Sequence, residues 1–194
     1  MNMKRISFYI LILCLAHTVN GQHTNTYSGF TIVGKEVVWS QVYHVDGPAD
    51  SLSGVVWRML KDKGWIRNLH REDADLVGDI ERMRVDYKRY GGRYLNTSQL
   101  IRTGRWTGKV RISFRDDKYR VVVSHLAYDA RQPAMHAAKM STEAHPIHGT
   151  WDEWVLNKYR THFRSSRRPN MDIMNAYLKD GFTLSPNTLI DEDW

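Results

Sequence analysis

Residues 106–128, WTGKVRISFRDDKYRVVVSHLAY, decide the fold class of this chain. Apolar and polar side chains alternate through the first half, which is the pattern of a strand with one buried face. Asp116 and Asp117 then favour a turn, and residues 119–128 return as a second, more fully buried strand. Alternation on both sides of a short polar turn predicts a β-hairpin. We therefore expect antiparallel sheet here, and no helix.

A strand and a helix are predicted before this hairpin. Residues 37–45, VVWSQVYHV, are rich in β-branched and aromatic side chains, which suit a half-buried strand. The next element has an apolar stripe at helical spacing, with Asp50 or Ser51 as the expected N-cap and Gly64 at its end. The stripe consists of Leu52, Val55, Val56, Met59 and Leu60. Residues 74–88 are interpreted as a further strand.

Two more helices are predicted towards the carboxyl end. Residues 131–149 have no clean periodicity and are expected to form a long loop. A helix then begins at Thr150, because Glu153 stands three residues later and completes a capping box. Its aromatic face consists of Trp151, Trp154, Val155, Tyr159 and either His162 or Phe163. A third helix over residues 170–179 belongs to a C-terminal segment, residues 166–194, that ends in a loose tail.

The first 21 residues have the pattern of a secretory signal peptide. Two basic residues precede an uncharged apolar run over residues 6–16, and Gly21 offers a small residue for cleavage. The run is shorter than the roughly 20 residues that span a bilayer. Cleavage after Gly21 would remove Cys14, the only cysteine, so the mature chain could form no disulfide. Residues 22–35 are polar and are expected to be a flexible lead-in.

The composition is that of a globular domain. The chain has 194 residues, of which 42% are hydrophobic and 25% charged, and this excludes a disordered chain, a collagen-like fibre and a multi-span membrane protein. The formal net charge is +7, but the export segment holds two basic residues and no acidic one, so +5 would remain. A balance this small allows weak attraction to anionic surfaces and makes a nucleic-acid partner an unnecessary assumption.

The order of the predicted elements resembles a known family. A strand and helix over residues 37–64, a strand over residues 74–87 and the hairpin ending KYRVVVSHLAYDA, residues 118–130, are similar to the TBP-like-fold domain of unknown function in secreted proteins of the Bacteroidota. The resemblance covers residues 36–165. It implies an α+β fold with a curved antiparallel sheet of about 4–5 strands and helices packed on one face. It also implies a location in the cell envelope and no established activity; the helix over residues 170–179 is additional.

Residues that could support catalysis or hold a metal form no complete set. Three histidines share one predicted loop: His136, His145 and His148. Pro146 prevents the helix that would align the last two, and no further ligand completes a zinc site. Two pairs of carboxylates share a strand face and could exchange protons with a substrate: Asp79 with Glu81, and Asp73 with Asp75. We predict no cofactor, no bound metal and no catalytic residue.

Basic and aromatic residues interleave in several stretches and could bind an anionic partner by charge and stacking. The candidate binding residues are Arg102, Arg105, Trp106, Trp151 and Trp154. The last two are three residues apart on a helix, where they would belong to the core or, if exposed together, mark a docking surface. In an exported protein the partner would be an anionic glycan, a lipid headgroup or an envelope protein.

The sequence therefore predicts an exported protein of the periplasm or cell envelope, which acts as a binding or structural module without catalysis. The alternative is an envelope hydrolase that uses carboxylates or the loop histidines. A deep pocket with convergent titratable side chains would favour the hydrolase. A shallow sheet face or an exposed tryptophan patch would favour the binding module.

Overall fold

The structure is a computed structural model that describes residues 25–131 and 146–184. In these residues the chain forms one antiparallel sheet and four α-helices. The strands are β1 (Thr26–Tyr27), β2 (Phe30–Val33), β3 (Glu36–His44), β4 (Ile66–Glu72), β5 (Asp75–Met83), β6 (Arg105–Arg115), β7 (Lys118–Arg131) and β8 (Pro146–Thr150). The helices are α1 (Ala49–Asp62), α2 (Gln99–Thr103), α3 (Trp151–Val155) and α4 (Arg168–Gly181), with a 3₁₀ turn at Ser165–Arg167. The predicted α+β class is confirmed.

The predicted hairpin forms the centre of the sheet. β6 and β7 are antiparallel partners, and Phe114 stands opposite Tyr119 next to the turn. The strand order is β1-β2-β3-β7-β6-β5-β4. β7 is long enough to pair with β3 through its first half and with β8 through its second half. The predicted hairpin therefore contains β7, which has three partner strands, and β6, which lies between β7 and β5.

The expectation of four to five strands is wrong, because the sheet has eight. The additional strands are short or lie at an edge: β1 and β2 fall largely in the predicted lead-in, and β8 falls in the predicted loop. β4 has the sequence IRNLHRE and is mostly exposed. An edge strand of this kind is held by backbone bonds to one neighbour, and its charges protect the free edge. It therefore shows no apolar alternation that a sequence could reveal.

The helices that the structure describes pack on one face of the sheet through a single core. Every second side chain of a strand faces the core. Trp39 in β3, Val110 in β6 and Val121 in β7 are examples of these buried residues. The helix α1 buries its whole predicted stripe: Leu52, Val55, Val56, Met59 and Leu60. Removing this apolar surface from water is the main stabilising contribution to the fold.

The helix ends differ from the sequence prediction in two places. α1 begins two or three residues early, with Pro48 at its N-cap, so Asp50 and Ser51 lie inside the first turn and neither caps it. α3 has the predicted capping box: Thr150 Oγ1 accepts from the Glu153 N–H, and Glu153 Oε2 accepts from the Thr150 N–H, both at 3.3 Å. α3 nevertheless ends at residue 155, so its expected continuation to residue 163 is wrong.

Three β-bulges bend the sheet. The pairing register shifts after Arg67 in β4, after Ile80 in β5 and in the part of β7 that pairs with β6. A residue other than glycine has positive φ in each bulge: Asn68 (50°), Arg82 (52°) and His125 (53°). A bulge inserts an extra residue, bends its strand and increases the local twist. The sheet is therefore bent where the candidate site described below is formed.

Candidate binding surface

One face of the sheet carries no helix in the ranges that the structure describes. We call it the open face; its residues alternate with those that face the core. Across β3, β7, β6 and β5 they are Val38, Ser40, Val42, Arg120, Val122, Ser124, Lys109, Arg111, Ser113, Asp75, Val77 and Asp79. Antiparallel sheets commonly leave one face to water. None of the four described helices stands on this face.

The β5 half of the open face is held by ion pairs. Lys109 Nζ lies 2.5 Å from Asp79 Oδ1, and Asn68 Nδ2 donates to Asp79 Oδ2 at 2.7 Å. These two hydrogen bonds, the one from Lys109 first, hold the pKa of Asp79 below its ordinary value. Arg111 bonds Asp75 at 3.0 Å and Glu72 at 2.6 Å, which raises the pKa of Arg111. This half of the face is a network of charged pairs exposed to solvent.

Of the four carboxylates predicted as acid–base candidates, Asp79 and Glu81 line one basin, which is described below, but Asp79 and Asp75 are already held by cations. Asp79 is paired with Lys109, and Asp75 with Arg111. Asp73 stands in the β4–β5 turn with a φ of 54°, so its short side chain is used for turn geometry. A carboxylate held ionised by a cation is poorly suited to act as a general acid near neutral pH.

A shallow basin lies on the open face where the bulges of β5 and β7 meet. Its volume is about 430 Å³, and its lining includes Asp79, Glu81, Arg82, Lys109 and His125. Gly108 is also in the lining, and a Cβ there would come within 3.1 Å of the Ser124 carbonyl oxygen. Arg82 and His125 in the lining have positive φ, and backbone strained in this way is often found at ligand sites.

A second concavity, which we call the arginine cleft, lies where the connection between β5 and β6 leaves and rejoins the sheet. It has a volume of about 290 Å³ and is lined by Arg84, Thr103, Arg105, Asp129 and Ala130. Arg84 follows the buried end of β5, and Arg105 begins β6 directly opposite Asp129. Arg105 and Asp129 are exposed and alternate with the buried Trp106 and Ala130, so they lie at the end of the open face. Neither guanidinium forms an ion pair with another residue of the described ranges. Both are therefore available to an anionic ligand.

The three predicted tryptophans lie in the core. Trp106 and Trp151 are fully buried and Trp154 almost so. The Trp106 and Trp151 rings meet edge to face at 5.3 Å, and Phe30 and Tyr128 extend the cluster. Neither indole N–H of the first two finds an acceptor among the described residues. The indoles thus form no exposed patch. Of the two positions predicted for Trp151 and Trp154, the structure shows the one in the core.

The two predicted arginines lie in different surroundings. Arg105 lines the arginine cleft, whereas the guanidinium of Arg102 stacks 3.9 Å from the ring centroid of Tyr94. Whether they or the tryptophans bind a partner stays a prediction. The sequence analysis did not single out Arg84 and Asp129. For Arg84, the sequence did contain a signal: a basic residue stands between the apolar residues Met83 and Val85, both of which are buried.

No group of three or more histidine, cysteine, aspartate or glutamate side chains in residues 25–131 and 146–184 is arranged to hold a metal ion. His148 Nδ1 lies 3.6 Å from Asp129 Oδ1 beside the arginine cleft. His136 and His145 lie outside the described residues, as does the predicted export segment. The described helices include none that is long and apolar enough to cross a bilayer.

Two solved structures are similar to this chain. A TBP-like protein from Parabacteroides distasonis is 8% identical, with a TM-score of 0.44, and the match covers 83% of this chain and 97% of that one. A DUF4468 family protein from Bacteroides ovatus is 14% identical, also with a TM-score of 0.44, over 84% of this chain and 93% of that one. The first of them carries the name of the fold that the sequence resembles. No family model and no curated protein matches this chain.

Proposed function

We propose that this chain is an exported, non-catalytic binding module of the cell envelope that recognises an anionic group on its open face. The signal-peptide pattern of residues 1–21 supports export. The anionic group is a carboxylate or a phosphate carried by an envelope glycan or by a lipid headgroup. The observation that carries the proposal is the arginine cleft, in which Arg84 and Arg105 have no ion-pair partner among the described residues.

The lining of the arginine cleft favours a sugar acid or a sugar phosphate over a bare anion. A guanidinium offers several N–H donors in one plane, which match the two oxygens of a carboxylate or phosphate. Thr103 adds a hydroxyl, and Asp129 adds an acceptor at the opposite strand. The negative charge of the Asp129 carboxylate repels a bare anion, but its oxygens can accept hydrogen bonds from the hydroxyl groups of a sugar. The cleft therefore suits a ligand that carries an anionic group, for Arg84 and Arg105, and sugar hydroxyl groups, for Asp129.

The alternative of an envelope hydrolase receives less support. A hydrolase requires a base or acid whose pKa is adjusted to its task and a second group within reach of the same bond. Asp79, one of the two carboxylates that line the basin, has a lowered pKa because Lys109 and Asn68 donate hydrogen bonds to it. Both concavities are small and lie on an exposed sheet face. A binding role uses these features as they stand.

Binding to the arginine cleft is tested by titrating the protein with a galacturonic acid trisaccharide, with glucose 6-phosphate and with glucose, observed by NMR chemical shifts. We expect one or both anionic probes to shift the resonances of residues around Arg84 and Arg105, and glucose to shift none. The double variant Arg84→Ala/Arg105→Ala should weaken binding at least about tenfold, because each charged hydrogen bond contributes on the order of 1.5–3 kcal/mol. Arg120→Ala, elsewhere on the open face, is the control. Equal binding by both variants would contradict the proposal.

Export is tested separately, by mass spectrometry of the protein recovered from the periplasm of an expression host. We expect a chain that begins at Gln22, because the small residue Gly21 ends the signal-peptide pattern. The variant Gly21→Trp should slow this cleavage and leave a heavier chain. An intact amino terminus on protein found only in the cytosol would contradict export without bearing on the arginine cleft.

A further inference from the structure

The connection between β5 and α2 exposes two large hydrophobic side chains next to each other. Leu95 is 91% exposed and Tyr94 is 67% exposed. Val33 and Tyr159 are also exposed, at 59% and 76%, but each lies in another part of the chain. Single exposed apolar residues are common on soluble proteins and need no explanation. An adjacent pair at the turn of a loop is a more specific feature; we call residues 93–97 the tip.

The tip is held in place by hydrogen bonds within the loop and to α4. The N–H groups of Asn96 and Thr97 both donate to the Arg93 carbonyl oxygen, at 3.1 and 2.9 Å. The Ser98 N–H donates to Asn170 Oδ1 at 2.8 Å, which joins the end of the tip to helix α4. Thr97 is buried, although it stands two residues after the most exposed leucine. The apolar pair is therefore presented on an ordered turn.

The start of the loop is equally well fixed. The Tyr90 hydroxyl donates to Asp180 at 2.7 Å, and the Tyr90 ring meets Tyr177 edge to face at 5.8 Å. The Gly92 N–H donates to the Tyr87 carbonyl oxygen at 2.8 Å, so closely that a Cβ at Gly92 would come within 2.7 Å of that oxygen. An ordered loop loses little conformational entropy on binding, which strengthens binding through a small surface.

The charged side chains of the loop itself all have the same sign. Residues 87–103 contain no aspartate or glutamate, and their basic residues are Lys88, Arg89, Arg93 and Arg102. Arg89 is paired with Asp180 at 3.2 Å. Arg102 stacks on Tyr94 and so places its charge beside the apolar pair. Lys88 and Arg93 form no ion pair within the described residues, and Arg93 directly precedes Tyr94 in the chain.

We infer that the tip docks on the surface of a bilayer that contains anionic lipid. Leu95 enters the boundary between headgroups and acyl chains, and Tyr94 lies at headgroup level, where its ring and hydroxyl both find suitable surroundings. Lys88, Arg93 and Arg102 face the lipid phosphates, to which each basic residue contributes attraction.

A bilayer suits the tip better than a protein partner does. A stable protein interface buries about 800 Å² on each partner around an apolar centre. Two adjacent side chains surrounded by cations offer a much smaller apolar centre, whereas a lipid surface requires no matching shape. This inference does not rest on the arginine cleft, because it concerns other side chains.

The test is co-sedimentation of the full chain with vesicles of phosphatidylglycerol mixed with phosphatidylcholine, and with vesicles of phosphatidylcholine alone. We expect binding to the anionic vesicles only, and weaker binding as salt is raised. Leu95→Glu should reduce binding at least about tenfold, since burial of a leucine side chain is lost and a repelled charge is added. Arg93→Glu should also reduce it.

Two controls keep the outcome interpretable. Val33→Glu alters another exposed apolar residue and should leave vesicle binding unchanged, which shows that a new acidic charge alone is not the cause. Arg84→Ala/Arg105→Ala removes the arginine cleft and should keep the dependence on Leu95, which separates this inference from the proposed function. Because Leu95 and Val33 are exposed, all variants should melt at the wild-type temperature. No binding to anionic vesicles, or equal binding by wild type and Leu95→Glu, would overturn the inference.

Discussion

Asp152 joins helix α3 to the sheet by accepting a hydrogen bond from the Val37 N–H at 3.1 Å. The carboxyl group is half-buried, and burial raises the pKa of Asp152 above its ordinary value, more than the bond from Val37 lowers it. The side chain is thus needed as an acceptor, while its charge is a disadvantage. These two contributions can be separated experimentally, because an asparagine keeps the acceptor and loses the charge.

We predict that Asp152→Asn is at least as stable as the wild type at neutral pH, whereas Asp152→Ala loses about 1–3 kcal/mol because the Val37 N–H is left unpaired. The folded pKa of Asp152 lies above the unfolded value of about 3.9, so the folded state binds more protons between the two and wild-type stability falls as pH rises through that window. The advantage of asparagine should therefore shrink as pH falls towards the unfolded value. Urea unfolding at several pH values measures this; equal losses for both variants would contradict it.

Two glycines should respond to alanine with opposite signs. Gly29 has a φ of +79°, and a Cβ there would lie 2.7 Å from Asn175 Oδ1 and 2.8 Å from Trp39 Nε1, two atoms that share a hydrogen bond. Gly29→Ala should cost on the order of 1–3 kcal/mol through strain and the disturbed bond. Gly54 lies inside α1 with no atom within 4 Å of the position of a Cβ, so Gly54→Ala should stabilise by about 0.5–1 kcal/mol. Thermal melts compare them; a gain for Gly29→Ala would contradict the geometry.

At the scale of the element, strands and helices with a long repeating pattern could be predicted from the sequence. Short elements, and a helix that is ended by a side-chain hydrogen bond, could not. The hairpin of β6 and β7 and the stripe of α1 were predicted because a buried face repeats in each. α3 ends early because Asn157 Oδ1 accepts from the N–H groups of Thr161 and His162, at 2.8 and 3.2 Å. A side chain that satisfies the backbone in this way competes with the helix. The aromatic spacing beyond residue 155 contains no sign of that competition.

The capping box of α3 is predicted to matter more than the length of the helix suggests. α3 has five residues and places Trp151 and Trp154 in the core, so loss of its first turn would move both indoles. Thr150→Ala should lower the free energy of unfolding by about 1 kcal/mol, since the Glu153 N–H loses its acceptor. Thr150→Ser keeps a hydroxyl at the same place and should remain close to wild type. If urea unfolding gives both variants the same stability, the cap does not hold the helix.

At the scale of the whole molecule, the arginine cleft is produced by topology and could not be read from spacing. Arg84, Arg105 and Asp129 lie on two neighbouring strands and on the connection that leaves a third, and the register of three strands with bulges places them together. A bulge moves every later side chain along its strand relative to the partner. The sequence therefore indicated Arg105 as a basic residue beside a buried tryptophan, but not which residues would face it.

The helix α4 is bound to the sheet by side chains from two neighbouring strands, β3 and β7. The Trp39 indole N–H donates to Asn175 Oδ1 at 2.8 Å, and the hydroxyl groups of Tyr43 and Tyr119 donate to the carbonyl oxygens of Lys179 and Phe182, at 3.0 and 2.6 Å. The apolar face of α4, Met171, Ile173, Met174 and Leu178, belongs to the same core as the strands. The helix therefore shares one core with the sheet across the predicted boundary at residue 165, and we expect the two to unfold as one cooperative unit.

This cooperativity predicts that a chain ending at residue 167, before α4, does not fold. The loss of α4 would expose the core side of Trp39 and Tyr119 to water. The apolar area then exposed is more than a marginally stable domain tolerates. The double variant Tyr43→Phe/Tyr119→Phe keeps the helix and removes only two hydrogen bonds, so it should fold and lose about 2 kcal/mol. Circular dichroism during heating distinguishes them: the shortened chain should melt without a sharp transition, and the double variant should melt sharply at a lower temperature. A sharp transition in the shortened chain would mean that the sheet folds without α4.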